Sequence, residues 1–276
     1  MEKKENYFII GSNGFIGNRI TRYLKKKHYK VHNTKNFSNC NKNTNIIYCV
    51  GSDDWLKKPI KTYESNFIHL FNSIRKIDNY KSFTFLSSSR VYLDIPKKKV
   101  NEKDFLIIKS NKRYIFNIQK LLSESFLLNF KQNSNIKIIR LANIYSYELL
   151  QKTFLPSVIK NSIIKKKINI SLNINSSKDY ISIDDALRNI YLLSKKNTSG
   201  IFNLGSGKNT TVKKIIYEIK KITKCKILIT NQNNLENYPL LNLGKIKKMI
   251  NFKIKDSLLK DLPKIIINEK KKLKIK

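Results

Sequence analysis

A glycine-rich turn near the amino terminus constrains the fold of this chain more than any other feature. Gly11, Gly14 and Gly17 form a GxxGxxG pattern. The apolar run at 6–10 predicts a strand before the turn, and the apolar spacing at 15–27 predicts a helix after it. Glycines let the backbone approach a phosphate closely, and a helix N-terminus attracts anions. The pattern therefore predicts a pyrophosphate site, with an ordinary glycine-rich turn as the alternative.

Strand and helix patterns alternate through the first half of the chain. Such alternation predicts a parallel sheet covered by helices on both faces, with ligands at the carboxyl ends of the strands. We expect an α/β fold, a Rossmann-type doubly wound parallel sheet with a smaller C-terminal substrate-binding portion. The remaining predicted strands of this half lie at 29–34, 45–50, 82–86 and 136–141, and its remaining helices at 63–77 and 115–130.

The pattern becomes less regular in the second half, where a strand is predicted at 168–172 and a helix at 183–194. We expect residues 1–145 to form a dinucleotide-binding domain. Residues 146–276 are expected to form mainly the substrate-binding portion, sharing the core and contributing some elements back to the sheet. With 276 residues, of which 41% are hydrophobic, the chain is long and apolar enough for a packed core.

The formal net charge of +37 raises nucleic acid as a partner, since a positive field attracts phosphates. However, 49 of the 56 cations are lysine, and they are scattered in short runs without interleaved aromatic residues. This scatter is typical of a lysine-rich composition and argues against specific nucleic-acid binding. Anionic small molecules remain the expected partners.

Cysteine usage and hydropathy are compatible with a reducing cytoplasm, which is the expected location. Cys40, Cys49 and Cys225 have no disulfide or zinc-ligand spacing, so no metal site is predicted. No apolar stretch approaches the roughly 18 residues of a membrane span, so integral membrane association is not expected.

The identity of the expected dinucleotide depends on the end of the second strand. An acidic residue there normally holds the adenosine ribose, but none occurs between residues 31 and 40. Lys35 lies near that position and slightly favours the additional phosphate of NADP. The expected cofactor is therefore NAD or NADP, with a slight preference for NADP.

Further segments follow the glycine turn in a familiar order. They are SSSRVY at 87–92, a helix with Lys120 and Glu124, RLANIY at 140–145, KDYISIDDA at 178–186 and GIFNLGSG at 200–207. Together they resemble the NAD-dependent epimerase/dehydratase family, the extended short-chain dehydrogenases that act on nucleotide sugars. The resemblance extends from residue 7 to residue 266.

The resemblance implies hydride transfer between a nicotinamide ring and a sugar carbon. A tyrosine moves the hydroxyl proton, a lysine lowers its pKa and holds the cofactor ribose, and a serine binds the substrate oxygen. Ser88 and Lys120 match the last two roles, Asn143 resembles a sugar-diphosphate contact, and Lys178 replaces a phosphate-binding arginine. The residues expected at the cofactor are Gly11, Asn13, Gly14, Phe15, Ile16, Gly17, Lys35, Val50, Gly51 and Lys120, and those at the substrate are Ser88, Asn143 and Lys178.

The tyrosine of the family's YxxxK motif is missing. A spacing of four residues corresponds to about 400° of helix and puts both side chains on one face. Phe116 occupies that position here. Tyr114 precedes Lys120 by six residues and faces elsewhere on a regular helix, so it substitutes only if the helix begins later or is distorted. We expect Ser88, Lys120 and Tyr114 as the catalytic residues, with Tyr92 or a water as other proton carriers.

The first hypothesis is a cytoplasmic NAD(P)-dependent enzyme of surface-polysaccharide biosynthesis that reduces, epimerises or dehydrates a nucleotide sugar. Reduction of a 4-keto group is slightly favoured, because it needs one hydride and one proton. Dehydration is disfavoured because Ser89 and Arg90 replace the Asp-Glu pair of the family's dehydratases. The second hypothesis, based on Phe116, is a catalytically silent binding protein. A homodimer through the helix of Lys120 is also compatible with its apolar surface.

Overall fold

The structure is a computed structural model that describes residues 5–33, 37–52, 54, 57–130, 135–150, 153–230, 232, 235–236 and 238–275. Lys35, on which the preference for NADP depends, lies outside the described residues. The predicted strands and helices of both halves are present, with ends shifted by a few residues.

The first half alternates strands and helices as the sequence pattern predicts. The chain passes through β1 (Asn6–Ile10), α1 (Phe15–Lys26), β2 (Lys30–Asn33), β3 (Thr44–Tyr48), α2 (Pro59–Tyr63), α3 (His69–Ile74), β4 (Ser82–Ser88), β5 (Lys99–Val100), α4 (Ile115–Leu128) and β6 (Ile136–Leu141). A π-helical turn, Glu64–Ile68, joins α2 to α3, and 3₁₀ turns at Ser89–Tyr92 and Lys112–Tyr114 follow β4 and precede α4.

The second half consists of shorter elements. They are β7 (Asn143–Tyr145), α5 (Phe154–Ile164), β8 (Lys167–Ile170), β9 (Ser177–Ser182), α6 (Ile183–Ser194), β10 (Gly200–Leu204), β11 (Asn209–Thr211), α7 (Val212–Thr223), β12 (Lys226–Ile229), β13 (Leu240–Leu241), α8 (Gly244–Met249) and α9 (Leu258–Lys272). Asp184 and Asp185 lie in the first turn of α6, as expected of N-terminal acids. Among the helices of the described ranges, none has the length and apolarity needed to cross a bilayer.

A six-stranded parallel sheet forms the centre of the fold, in the order β2-β1-β3-β4-β6-β10. Successive side chains of a strand point to opposite faces, and here both faces are buried. Phe8, Ile46 and Phe83 pack on the face toward α3 and α4, whereas Ile9 and Ile47 pack on the face toward α1 and α6. The Rossmann-type fold is therefore confirmed. The division of the chain at residue 145 stays a prediction, while β10 joins the sheet from the second half.

A second hydrophobic core lies in the C-terminal half, where α5, α7 and α9 pack together with β8. Ile159, Ile216 and Ile265 are fully buried there. Next to this core, a three-stranded sheet runs in the order β11-β9-β7, with Asn143 of β7 opposite Tyr180 of β9. These two strands carry Asn143 and Lys178, so the fold puts two of the three residues expected to bind substrate on adjacent strands.

Candidate active site

The glycine turn forms an open cradle at the carboxyl end of β1. Gly11 has a φ of 87°, and its carbonyl oxygen accepts a hydrogen bond from Gly14 N at 3.0 Å. A Cβ on Gly17 would overlap that same oxygen and lie 2.7 Å from the Gly11 carbonyl carbon. No side chain caps α1 at Gly14, and the first turn of the helix contains no acid. The N-terminus of α1 is therefore available to an anion.

Gly17→Ala is expected to destabilise the turn by about 2–3 kcal/mol and to weaken NADPH binding, because the new methyl group overlaps the Gly11 carbonyl. Gly14→Ala is the control for stability only, because Gly14 belongs to the cradle itself. Gly14 has a φ of −74°, and its Cβ would lie 3.3 Å from the Gly11 oxygen, so Gly14→Ala should destabilise the turn less than Gly17→Ala. Thermal melting compares the two variants, and NADPH fluorescence titration compares Gly17→Ala with the native protein. Equal melting temperatures for the two variants would contradict this role of Gly17.

The turn, the end of β3 and α4 meet at one edge of the sheet. A Cβ on Gly11 would lie 2.9 Å from Val50 Cγ2, and one on Gly51 would lie 3.1 Å from Lys120 Nζ. Four of the expected cofactor residues are thus brought together. The others in the turn lie at its open side, with Asn13 exposed and Phe15 and Ile16 half-buried.

Sequence reasoning missed a buried amide that holds this edge in place. Asn66 Oδ1 accepts a hydrogen bond from Ser52 N at 3.0 Å, and its Nδ2 donates to Gln119 Oε1 at 2.9 Å. Asn66 therefore connects the loop after β3 to α4, next to Gly51. It lies on the π-helical turn, a rare conformation that is frequent at functional sites.

Lys120 lies inside the protein at this edge. Only 4% of its surface is exposed, and its Nζ donates a hydrogen bond of 3.4 Å to the Leu86 carbonyl. The ammonium also lies 5.1 Å from the ring centroid of Phe85. Burial lowers the pKa of Lys120 to about 8, against the opposing effect of Glu124. Lys120 is therefore a cation at neutral pH whose proton is unusually acidic.

Phe116 shares a helix face with Lys120, as the spacing predicts. Its ring centroid lies 5.8 Å from Lys120 Nζ. Tyr114 lies on the preceding 3₁₀ turn, where its hydroxyl donates to Asp94 Oδ2 at 2.6 Å. Burial and the Asp94 carboxylate raise the pKa of Tyr114 to about 12. The structure therefore joins Tyr114 to Asp94, and the catalytic role of Tyr114 stays a prediction.

Ser88 at the end of β4 and Tyr92 in the turn that follows have different surroundings. Ser88 is half-buried at the end of β4, and its Oγ accepts a hydrogen bond from Arg90 N at 3.2 Å. Tyr92 is fully buried, and its hydroxyl accepts from Arg140 Nη1 at 3.0 Å and donates to Asn203 Oδ1 at 2.7 Å. Burial raises the pKa of Tyr92 to about 12 despite Arg140. Tyr92 is thus part of an internal hydrogen-bond network, and its role as a proton carrier stays a prediction.

This network contains a buried ion pair below the site. Arg140 Nη2 lies 2.7 Å from Glu124 Oε2, and Ser87 Oγ donates to the same carboxylate. The pair joins α4 to β4 and β6. It therefore holds Lys120 and Ser88 at one edge of the sheet.

Of the expected substrate residues, Asn143 lies on β7 and Lys178 lies on β9, where Lys178 lines a cavity. Asn143 is exposed, and its Nδ2 donates to the Asp179 carbonyl at 3.2 Å. The Asp179 carboxylate accepts from the backbone N–H groups of Ser206 and Gly207, which confirms its expected role in organising this loop. The cavity is lined by apolar, hydroxyl and charged side chains: Phe154, Leu172, Ser176, Lys178, Tyr180, Thr210, Val212 and Glu236.

The sequence of this chain matches the model of a known protein family. This model, described as "NAD dependent epimerase/dehydratase family", matches residues 7–205. The chain belongs to this family. None of the curated proteins matches it significantly in sequence.

Several solved structures share the fold of this chain over almost their whole length. UDP-glucose 4-epimerase from Thermotoga maritima, solved with UDP-glucose, is 19% identical, covers 97% of this chain and 99% of its own, and has a TM-score of 0.80. RMD from Pseudomonas aeruginosa, complexed with NADPH, is 16% identical with coverages of 96% and 99% and a TM-score of 0.78. A tyrosine-to-phenylalanine mutant of UDP-glucuronic acid 4-epimerase from Bacillus cereus, in complex with a fluorinated UDP-glucuronic acid and NAD, is 18% identical with coverages of 96% and 99% and a TM-score of 0.80.

The residues at this edge of the sheet fit a nicotinamide dinucleotide. A side chain at Gly11 or Gly17 would collide with the backbone, so the turn stays free of side chains there, and Lys120 lies next to Gly51. Within the described ranges, no group of three or more His, Cys, Asp or Glu side chains is arranged to hold a metal ion.

The sequence does not predict the role of Glu236, which forms an ion pair with Lys178 in the cavity. Its only signal in the sequence is that acids are rare, since Glu236 is one of 19 in the chain.

Proposed function

We propose that this epimerase/dehydratase-family protein is an NAD(P)-dependent enzyme acting on a nucleotide-activated sugar in surface-polysaccharide biosynthesis. Reduction of a 4-keto sugar is the favoured reaction. The observation that carries the proposal is the buried Lys120 ammonium, which lies beside Gly51 at the edge where the glycine cradle opens. Burying a lysine is costly, and Lys120 forms no salt bridge with the described residues, which supports a ligand at this edge.

The cradle of Gly11, Gly14 and Gly17 would hold the cofactor pyrophosphate against the N-terminus of α1. A bound nicotinamide would supply the hydride. Solved relatives hold NAD or NADPH, which supports a nicotinamide dinucleotide here. The preference for NADP depends on Lys35 and on the absence of an acid at 31–40.

The sugar oxygen needs one proton when a ketone is reduced. Phe116 has no proton to give, and the hydroxyls of Tyr114 and Tyr92 are hydrogen bonded elsewhere. We assign the proton to the Lys120 ammonium, acting through a water, with the Ser88 hydroxyl donating a hydrogen bond to the substrate oxygen. A donor with a pKa of about 8 is well matched to neutral pH.

Lys120→Ala is expected to lower the rate of NADPH oxidation with nucleotide 4-keto sugars by about 100-fold or more, because it removes the proton donor and the cofactor ribose contact. In the native protein the rate should fall as the pH rises above about 8, since the reactive form is the protonated one. Tyr114→Phe is the matched control and should keep the rate within about twofold, because its hydroxyl contacts Asp94. Loss of activity in Tyr114→Phe with an unchanged Lys120→Ala would contradict the assignment.

The second candidate is a catalytically silent nucleotide-sugar binding protein. Phe116 favours it, because it leaves the lysine face without a phenol. The mutant of the Bacillus cereus epimerase with phenylalanine in place of a tyrosine still holds NAD and a nucleotide sugar. Cofactor binding without NADPH oxidation by the native protein, across the panel of keto sugars, would favour this candidate over the reductase.

We further propose a homodimer through α4, as its apolar surface suggests. Ile118 and Leu122 are each 41% exposed on this helix, next to α2 with its exposed Ile60. Paired helices would remove this surface from water. Light scattering at moderate salt measures the stoichiometry, because the high positive charge opposes association at low salt.

A further inference from the structure

Glu236 directs a carboxylate into the cavity where the phosphates of the proposed substrate would lie. Its Oε2 lies 2.7 Å from Lys178 Nζ, and its Oε1 lies 3.8 Å from Arg90 Nη1. Glu236 and Lys178 both line the cavity. With 56 Lys and Arg against 19 Asp and Glu, acids are scarce in this chain. Two cations nevertheless converge on this one carboxylate.

The two cations have contacts besides Glu236. Arg90 Nη1 donates to the Tyr238 hydroxyl at 2.8 Å and Nη2 to the Arg113 carbonyl at 3.2 Å, while Lys178 Nζ lies 5.2 Å from the Tyr238 ring centroid. These contacts position both cations independently of the carboxylate. The backbone of Glu236 is anchored as well, since its N–H donates to Ser176 Oγ at 2.8 Å. If the Glu236 side chain alone rotated away, Lys178 and Arg90 would therefore stay in place and become available to another anion.

The carboxylate is charged and only partly shielded from water. The side chains of Lys178 and Glu236 are 25% and 17% exposed. Burial opposes ionisation, but Lys178 and Arg90 more than offset it and hold the pKa of Glu236 below its usual value. A phosphate entering the cavity would thus meet a negative charge at the position where it needs a positive one.

Arg90 connects the cavity to the expected catalytic edge. It lies two residues after Ser88, and its backbone N–H donates to Ser88 Oγ. Arg90 is therefore adjacent both to Ser88 and to the Glu236 carboxylate that lines the cavity. A diphosphate between a nucleoside and a sugar has the charge that this pair of cations would bind.

We propose that Glu236 is a specificity-determining residue that occupies the phosphate position of the substrate site and holds Lys178 and Arg90 until a diphosphate displaces its side chain. The inference rests on the proposed function for the class of ligand, a nucleoside diphosphate. The new element is that the Glu236 carboxylate lowers the affinity of this protein for the phosphates of its ligand. The affinity for the uncharged nucleoside part is unaffected by Glu236.

Glu236→Gln in the full chain tests this, with calorimetric titration of UDP, dTDP and GDP and of the corresponding nucleosides. The Kd of the tightest diphosphate is expected to fall about tenfold, because the competing charge is gone. The Kd values of the nucleoside and of NADPH should stay within about twofold. Glu218→Gln is the matched control, since it makes the same change in net charge at an exposed pair with Lys221 and should not alter diphosphate binding.

Unchanged or weaker diphosphate binding in Glu236→Gln would overturn the inference, and so would an equal gain in Glu218→Gln. Where Glu236→Gln fails to fold, Glu236→Asp decides, because the shorter acid reaches Lys178 less well and should give a smaller gain in diphosphate affinity. A loss in Glu236→Asp overturns the inference. Failure of the proposed reductase would be seen separately, as absence of NADPH oxidation, while the shift in diphosphate affinity would remain.

Discussion

Phe116→Tyr is expected to raise the rate of NADPH oxidation with a nucleotide 4-keto sugar by about 10²–10⁴-fold, the usual contribution of a positioned acid. Phe116 lies on the face of α4 that carries Lys120, with its ring 5.8 Å from the ammonium. A phenol there would share the lysine's electrostatic environment, which favours phenolate and makes proton transfer easier. Stopped-flow measurement of the hydride-transfer step at pH 7 tests this gain.

Phe116→Leu is the matched control, because it changes the packing without supplying a hydroxyl. It should leave the hydride-transfer rate near that of the native protein. A second control, Phe116→Tyr combined with Lys120→Ala, should lose most of the gain, since the phenol then lacks its cation. A rate in Phe116→Tyr equal to that of the native protein would mean that the native proton donor is already adequate. Activity that appears only in Phe116→Tyr would instead identify the native chain as a binding protein.

Arg140→Met is expected to lower the free energy of unfolding by about 3–5 kcal/mol, because it leaves the buried Glu124 carboxylate without its cation. Arg140 Nε and Nη2 both donate to that carboxylate, and Nη1 donates to the Tyr92 hydroxyl. The loss would therefore affect α4, β6 and the turn after β4 together. Guanidinium unfolding monitored by circular dichroism measures it.

The double variant Arg140→Met with Glu124→Gln separates the buried charge from the loss of packing. It should recover more than half of the stability lost by Arg140→Met alone, since a neutral amide is far easier to bury than an unpaired carboxylate. An exposed pair gives the reference: Lys221→Met removes the partner of Glu218 and should change stability by less than about 1 kcal/mol. A small effect of Arg140→Met, similar to that of Lys221→Met, would contradict the role of the ion pair.

Several features of the site follow from spacing within single elements, which is why the sequence predicts them. The turn of Gly11, Gly14 and Gly17 lies between the predicted strand and helix, and Asp184 and Asp185 begin α6. These are local patterns in which a side chain's direction depends on the geometry of its own helix or turn. The continuous apolar strands likewise predict a parallel sheet buried on both faces.

The common face of Phe116 and Lys120 was also determined by the sequence alone, through their helical spacing. Only the tertiary structure decided the partner of Tyr114, which is Asp94 on a separate loop, and that of Glu236, which is Lys178 on β9. It also put Tyr92 into contact with Arg140 and Asn203, deep in the core. The physical reason is that these contacts join segments far apart in the chain. Their partners are set by how the sheet and its neighbouring loops pack together, which no local pattern of residues contains.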